Sequence, residues 1–241
     1  MDEITTERGF FVAIEGGDGS GKGTQSKKLE QYFKEREKDV LKVSFPQHGK
    51  ASAYIVDQYL NGAYGGVNDV HADLASLPYA IDRFSAKDEI IGQLSKPNGI
   101  VIADRYVASN LAHQGTKFYD AELRKQYYER DMEIEYGILK IPKPDLNIVL
   151  IVPTDIAQQN VDKKEARGYT ALKRDIHEAD PTHLERAKAN YIELCQLYPE
   201  TFNPIYCTKN GEMRPIDDIQ NEIIFIINSF IKSGTVSLSK R

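Results

Sequence analysis

"FFVAIEGGDGSGKGTQ", residues 10–25, runs from a short apolar stretch into a glycine-rich one. Gly16, four residues, Gly21 and Lys22 reproduce the G-x-x-x-x-G-K spacing of a phosphate loop. Small residues let the backbone curl until successive N–H groups point at one anion, and the helix that follows adds the positive end of its dipole. The motif requires a strand before it and a helix after it, and residues 10–14 and 21–36 read that way. Gly16, Gly17, Asp18, Gly19, Ser20, Gly21, Lys22, Gly23 and Thr24 are therefore candidate triphosphate-binding residues, with Lys22 near the β and γ phosphates. Gly23 departs from the usual pattern, which places a hydroxyl after the lysine for the metal ion.

Outward from this loop, short apolar runs alternate with longer stretches of helical period, which is the pattern of a parallel α/β sheet. "GFFVAIEG", "DVLKVSFP", "GIVIADRY", "DLNIVLIVP" and "NPIYCTK" read as five strands. Helices are expected at 21–36, 50–61, 69–95, about 105–137 and 181–198, with a last one in "IDDIQNEIIFIINSFIKS". There Ile219, Ile223, Ile226, Ile227 and Phe230 form one stripe and are assigned to the core. The fold class is α/β: a three-layer phosphate-loop NTPase with a parallel five-stranded sheet flanked by helices. No repeat or long linker divides the 241 residues, so one domain is expected, with a core at 10–232 and tails at 1–8 and 234–241. Residues 158–180 are charged and poor in apolar side chains; they read as a solvated helix pair or as a lid, the latter over 158–178.

A net charge of −5 and a pI near 5.6 argue against a general nucleic-acid binder, so an anionic ligand must be met by locally placed Lys and Arg. Cys195 and Cys207 have no metal-ligand spacing and read as free thiols. The acidic start "MDEITTERGFF" has no signal-peptide pattern, and no run reaches the ~18 apolar residues that span a bilayer, so a cytoplasmic protein without membrane contact is expected.

At the end of the third strand stands "ADRYVASNLAHQG", residues 103–115. A carboxylate here can reach a nucleotide-bound Mg²⁺ through water, which suits Asp104. Asp104 and Arg105 taken alone would more often form a local ion pair. Tyr79 and Arg83, spaced i, i+4, share a helix face; beside a phosphate loop they suggest a ring for a flat base and a guanidinium for a phosphate.

Together these residues resemble the thymidylate kinase family over about residues 10–232. The most specific part is "DRYVASNLAHQG", which is similar to the signature D-R-[YH]-x-x-S-x-x-A-[YF]-x-G. The resemblance implies transfer of the γ-phosphoryl group of ATP to thymidine monophosphate (dTMP), with Mg²⁺ as cofactor, and a homodimer. It assigns Asp104 to the metal, Arg105 to the monophosphate, Ser109, Asn110 and Gln114 to the thymine edge, and Tyr79 to stacking on the base. Arg83 reaches base and monophosphate, Phe45 joins the dTMP pocket, and His113 helps to exclude a 2'-hydroxyl. Asp18 matches a carboxylate that contacts the sugar 3'-hydroxyl and lies near the metal through water. Gly19 stands where some members carry a loop arginine, so the chain resembles the bacterial-type arrangement with the catalytic cation in the lid. Arg167 leads there, with Lys163, Lys164 and Arg174 beside it. The arginine that family members carry after the second strand is replaced by "SFPQHGK", where His48 and Lys50 stand.

A monophosphate has its second pKa near ~6 and attacks without a general base, so the site must supply alignment and charge. Lys22, Arg105, Arg167 and Asp18 are the catalytic candidates. The rivals are an adenylate kinase-like enzyme, suggested by Gly23-Thr24 but lacking a D-G-[FY]-P-R strand end, and a deoxynucleoside kinase, which would want a carboxylate base that "FPQHGK" does not offer. The absence of an N-K-x-D motif argues against a GTP-dependent switch.

Overall fold

The computed structural model describes residues 8–162, 175–177 and 180–232. In chain order the main elements are β1 (Phe10–Gly16), α1 (Lys22–Lys34), β2 (Asp39–Ser44), α2 (Tyr54–Leu60), α3 (Ala72–Ser85), α4 (Lys87–Leu94), β3 (Gly99–Asp104), α5 (Val107–Gln114) and α6 (Ala121–Met132). They continue with β4 (Leu146–Ile151), α7 (Thr154–Asp162), α8 (Pro181–Leu197), β5 (Phe202–Tyr206), a small hairpin β6 (Thr208–Lys209) and β7 (Glu212–Met213), and α9 (Ile216–Lys232).

The five main strands form one parallel sheet in the order β2-β3-β1-β4-β5, as in a nucleoside monophosphate kinase type of phosphate-loop fold. Both faces are covered by helices, which is why the strands read as unbroken apolar runs. Phe11, Ala13, Val101, Ala103 and Val149 pack into one layer, and Phe10, Val12, Ile14, Ile102, Ile148 and Leu150 into the other. Ile219, Ile223 and Ile227 of α9 are buried in the second layer, with Ile226 and Phe230 half-buried beside them. Cys195 and Cys207 are buried free thiols. Arg8, assigned to the N-terminal tail by the sequence, forms an ion pair with Asp145, whose carboxylate also accepts from Phe11 N at 2.8 Å.

Two helices expected to be continuous are divided. The stretch 69–95 breaks at Ala86, whose φ of −97° and ψ of 1° leave the helix; α4 then turns so that Ala86 and Ile90 are buried with Val101 of β3. The stretch 105–137 breaks at Gly115, where a Cβ would lie 2.9 Å from Tyr128 Cε1 and 3.1 Å from Asn190 Nδ2. A 3₁₀ turn over Gly115–Lys117 follows, and Asp120 restarts the chain as α6 by accepting from Leu123 N at 2.9 Å. After α6 the helix widens into a π turn, Glu133–Ile138. Among the described residues no helix is long and apolar enough to cross a membrane.

Candidate active site

Register places Ile14 of β1 opposite Asp104 of β3, so the phosphate loop and the Asp104-Arg105 pair emerge side by side at the C-terminal edge of the sheet. A cleft of about 470 Å³ opens there. Asp18, Gly19, Gly21, Lys22, Gly23 and Thr24 line one end, and Phe45, Tyr79, Arg83, Arg105, Ser109, Asn110, His113 and Gln114 line the rest together with Asp104. Gly16, Gly17 and Ser20, also expected at the triphosphate, do not line this cleft. Gly17 and Ser20 border a separate small hollow under the loop, and Ser20 Oγ is buried with no hydrogen-bond partner among the described residues.

The loop is shaped by glycines in left-handed conformations. Gly19 has φ of +76°, and a Cβ on it would stand 2.0 Å from the Ala157 carbonyl of α7, which no rotamer relieves. A side chain at position 19 is thus incompatible with this packing, and Asn160 Nδ2 of the same helix donates to Gly19 O at 3.0 Å. Lys22, nearly buried, donates from Nζ to Gly17 O at 2.8 Å and so lies back across the loop.

Gly23 opens the first turn of α1 directly opposite Asp104. A Cβ there would reach Asp104 Oδ2 at 3.4 Å, and Ser26 Oγ donates to the same oxygen at 3.5 Å. Side-chain oxygens of Asp104, Asp18 and Thr24 line this end of the cleft, a hard donor set of the kind that suits a hydrated Mg²⁺.

Arg105 takes φ of +67°, an uncommon conformation for a residue with a Cβ, and its backbone N donates to Ile14 O at 3.0 Å. This turn sends the guanidinium back over the loop: Nη1 donates to Gly16 O at 3.1 Å and to Ser109 Oγ at 3.3 Å, and Nη2 to Asp18 Oδ1 at 2.5 Å. Asp104, its neighbour in sequence, is therefore not its partner. Burial opposes the Arg105 charge, but Asp18, with Asp104 and Glu15 beyond it, outweighs burial and raises the pKa. Ser109 in turn donates to Glu15 Oε2 at 2.8 Å, and Tyr106 N donates to Glu15 Oε1 at 2.7 Å. Burial pushes the Glu15 carboxyl up, against the Ser109 hydrogen bond and the Arg105 charge.

Arg83 is 1% exposed and bidentate on Glu135 of the π turn, at 2.6 Å from Nε and 2.5 Å from Nη2, with Nη1 donating to Tyr106 O at 3.3 Å. Asn110 Nδ2 donates to the same Glu135 at 3.2 Å. Both residues reach the cleft wall, but with polar groups already engaged. Tyr79 lies half-buried beside the cleft, its ring edge-on to Tyr59 at 6.4 Å. Gln114 Oε1 is buried with no hydrogen-bond partner among the described residues. His113 packs parallel to His177 with ring centroids 5.3 Å apart. His48 pairs with Asp57, and the loop ahead of α2 is tied to α3 by Asp82, which accepts from Gln47 N at 2.7 Å and Ser52 Oγ at 2.6 Å. Lys163, Lys164, Arg167 and Arg174 lie outside the described residues.

Glu135, Glu15, Asp82 and His177 escaped the sequence reading. Glu15 left a trace there, a lone acid closing an apolar run, but Arg83 and Glu135 stand 52 positions apart and carry no local signal of their pairing.

A family model described as Thymidylate kinase matches residues 14–223. A thymidylate kinase of Mycobacterium tuberculosis is 33% identical over 188 residues, 77% of this chain and 85% of its own length. A probable thymidylate kinase of Thermococcus gammatolerans is 26% identical over 229 residues, covering 94% of this chain and 99% of its own. The fold superimposes on a solved thymidylate kinase structure from Candida albicans with a TM-score of 0.69, at 21% identity and 92% coverage of each chain. With the loop, the Asp104-Arg105 turn and these matches in view, the chain belongs to the thymidylate kinase family.

Proposed function

We propose that the two ends of the cleft hold the two substrates of one phosphoryl transfer. The chain phosphorylates dTMP to dTDP with ATP as donor. The observation that carries the residue assignment is that Lys22 and the loop glycines share a single cleft with Arg105, Tyr79 and Phe45. ATP phosphates lie over residues 16–24, where loop N–H groups and Lys22 face them; Lys22 exchanges its contact with Gly17 O for the β and γ oxygens. Arg105 holds the acceptor monophosphate, with Asp18 fixing the guanidinium's direction and also facing the sugar. Because Arg83 is bound by Glu135, it shapes and charges the pocket wall and offers the acceptor only the part of its fork that faces the cleft. Tyr79 stacks on the base, and Ser109, Asn110, His113 and Gln114 close around it.

Asp104 and Asp18 are the residues that would hold Mg²⁺ through water, and Gly23, by lacking a hydroxyl, leaves the ion to waters and ATP oxygens. Bound there with ATP, Mg²⁺ neutralises charge on the triphosphate. Arg167 of the 158–178 lid supplies the remaining cation, consistent with the packing at Gly19 that leaves no room for a loop side chain. We also place the chain in the cytoplasm, as one kinase unit spanning 10–232.

Its partner there is a second copy of itself. Leu74, Leu77, Ile81 and Phe84 of α3 are 63, 39, 52 and 46% exposed on one helix stripe, an apolar face that a homodimer would cover.

A coupled assay with ATP over dTMP, dUMP, UMP, AMP, CMP and thymidine tests the reading. Turnover highest with dTMP supports it; preference for AMP overturns it in favour of an adenylate kinase-like enzyme, and turnover of thymidine alone in favour of a nucleoside kinase. Light scattering of the wild-type chain and of Ile81→Glu reads the dimer, which should dissociate in the variant.

A further inference from the structure

His113 of α5, His177 and His183 of α8 are all buried, and a ring nitrogen from each lies within 4.8 Å of the others. His113 Nδ1 and His183 Nε2 are 3.2 Å apart. Ligand nitrogens on one tetrahedral Zn²⁺, with Zn–N of about 2.0–2.1 Å, stand roughly 3.3 Å from each other, so this pair already has the needed spacing. The ring centroids crowd at 5.3, 5.4 and 4.5 Å.

The hydrogen bonds fix the direction of the lone pairs. Thr116 Oγ1 donates to His113 O at 2.7 Å, so towards His183 Nδ1, 3.1 Å away, it can only accept. His183 therefore carries its proton on Nδ1 and presents the Nε2 lone pair to His113. A ring N–H anchored in this way is the outer support usual for a metal-bound imidazole. Tyr59 OH, 3.4 Å from His177 Nε2, stands ready to orient the third ring. His113 Nδ1 donates to the His183 Nε2 lone pair, while His113 Nε2 is buried with no hydrogen-bond partner among the described residues, so the three rings satisfy one another only in part.

Three buried imidazoles packed together need a reason, since burial and mutual repulsion forbid them charge. Burial lowers all three, His177 to about 3, His183 to about 2 and His113 well below its ordinary value; the Arg105 charge adds to this at His113 and His177 adds to it at His183, while Asp18 pulls the other way. Neutral imidazole is the metal-binding form, so at neutral pH the ion costs no net proton; His113 binds through Nδ1 once its proton has moved to Nε2.

We propose that His113, His177 and His183 form a three-histidine site for one late first-row divalent cation of the Zn²⁺ type, separate from the Mg²⁺ that accompanies ATP. Nitrogen donors select Zn²⁺ or Co²⁺ over the hard Mg²⁺, which keeps to oxygen. The bound ion ties the segment 175–177 to α5 and α8. His113 and His177 also line the cleft, so the ion narrows it. The fourth coordination position is left to water.

The test is a Co²⁺ titration of the full chain, free of any polyhistidine tag, followed by visible absorption. The expected result is one Co²⁺ per chain with the intense band of four-coordinate cobalt, displaced by Zn²⁺ and indifferent to excess Mg²⁺. Outer-shell partners alone are worth 10–100-fold in metal affinity, so losing a direct ligand in His177→Ala or His183→Asn should weaken binding by at least about tenfold. His71→Ala, away from the cluster, should leave it unchanged. Zinc-edge X-ray absorption of the wild-type chain needs no variant and should show imidazole nitrogen at about 2.0–2.1 Å. Only the weak band of hexaaqua cobalt, an oxygen-only zinc shell, or cobalt binding that survives loss of all three histidines would overturn the proposal.

Discussion

At the phosphate-loop end of the cleft the candidate anion contacts come from one short stretch, Asp18, Gly19, Gly21, Lys22, Gly23 and Thr24, mostly through backbone N–H groups and one lysine. At the other end the wall is assembled from side chains of α3, the β3–α5 turn, α5 and the segment 175–177, with Glu135 of the π turn holding Arg83 from behind, brought together from across some hundred residues. The first end depends on chain conformation, which glycines permit and few other residues do. The second depends on buried charge and hydrogen bonding, where each polar group needs a distant partner. Damage should therefore differ in kind: substitutions at the loop should reduce chemistry in a folded protein, whereas substitutions at the buried network should first reduce stability.

The largest effect is expected at Lys22. Lys22→Ala should lower kcat by about 10³-fold or more, roughly 4 kcal/mol of transition-state stabilisation, with an unchanged melting temperature. A variant that melts early would show that Lys22, through Gly17 O, is also structural and would blur the contrast. Glu135→Gln probes the other end. It strands the buried Arg83, and breaking a buried ion pair costs about 3–5 kcal/mol, read by urea unfolding. Replacing both partners, Arg83→Met with Glu135→Leu, should recover much of that stability, and activity should stay low if the Arg83 charge serves the acceptor. Full recovery of both would make the pair purely structural.

Arg167→Ala should reduce kcat by at least about 100-fold, near 2.7 kcal/mol, with a smaller change in KM; an unaltered kcat would pass the role to Lys163, Lys164 or Arg174.

The smallest effect concerns Asp131, buried beside the Arg83-Glu135 pair. Burial, then the Glu135 charge, push its carboxyl up to about 8, against the opposing pull of Arg83. Unfolded, it titrates near its ordinary 3.8, so between pH 4 and 8 the native state holds a proton that the unfolded state has lost. This contribution to stability is complete below pH 4 and lost as pH rises through about 8. Asp131→Asn does not titrate, so its melting temperature should rise relative to the parent between pH 5 and pH 9. A parallel shift of both curves would remove Asp131 from the network.

The sheet was legible because β1, β3 and β4 are buried on both faces and leave unbroken apolar runs, while the loop spacing is a contiguous pattern. Helix lengths were less so. The break at Ala86 carries no glycine or proline; it follows from packing α4 onto β3. The break at Gly115 had a glycine, and it is Tyr128 and Asn190, 13 and 75 positions away, that leave this position no room for a side chain. In the site, "DRYVASNLAHQG" marked which residues would gather, yet not how they would pair. Arg105 turned to Asp18 rather than to Asp104 because its positive φ points the side chain back over the loop.

By itself, then, the sequence determined the phosphate loop, the strand inventory and most of the residues that line the cleft, since these rest on local spacing, periodicity and a near-contiguous signature. Only the tertiary structure decided that Arg83 is held by Glu135, that Gly19 is closed to any side chain by Ala157, and that His113 meets His177 and His183. Each of these is a contact between chain segments far apart in sequence, created when burial removes water and every polar group must find its partner inside the protein.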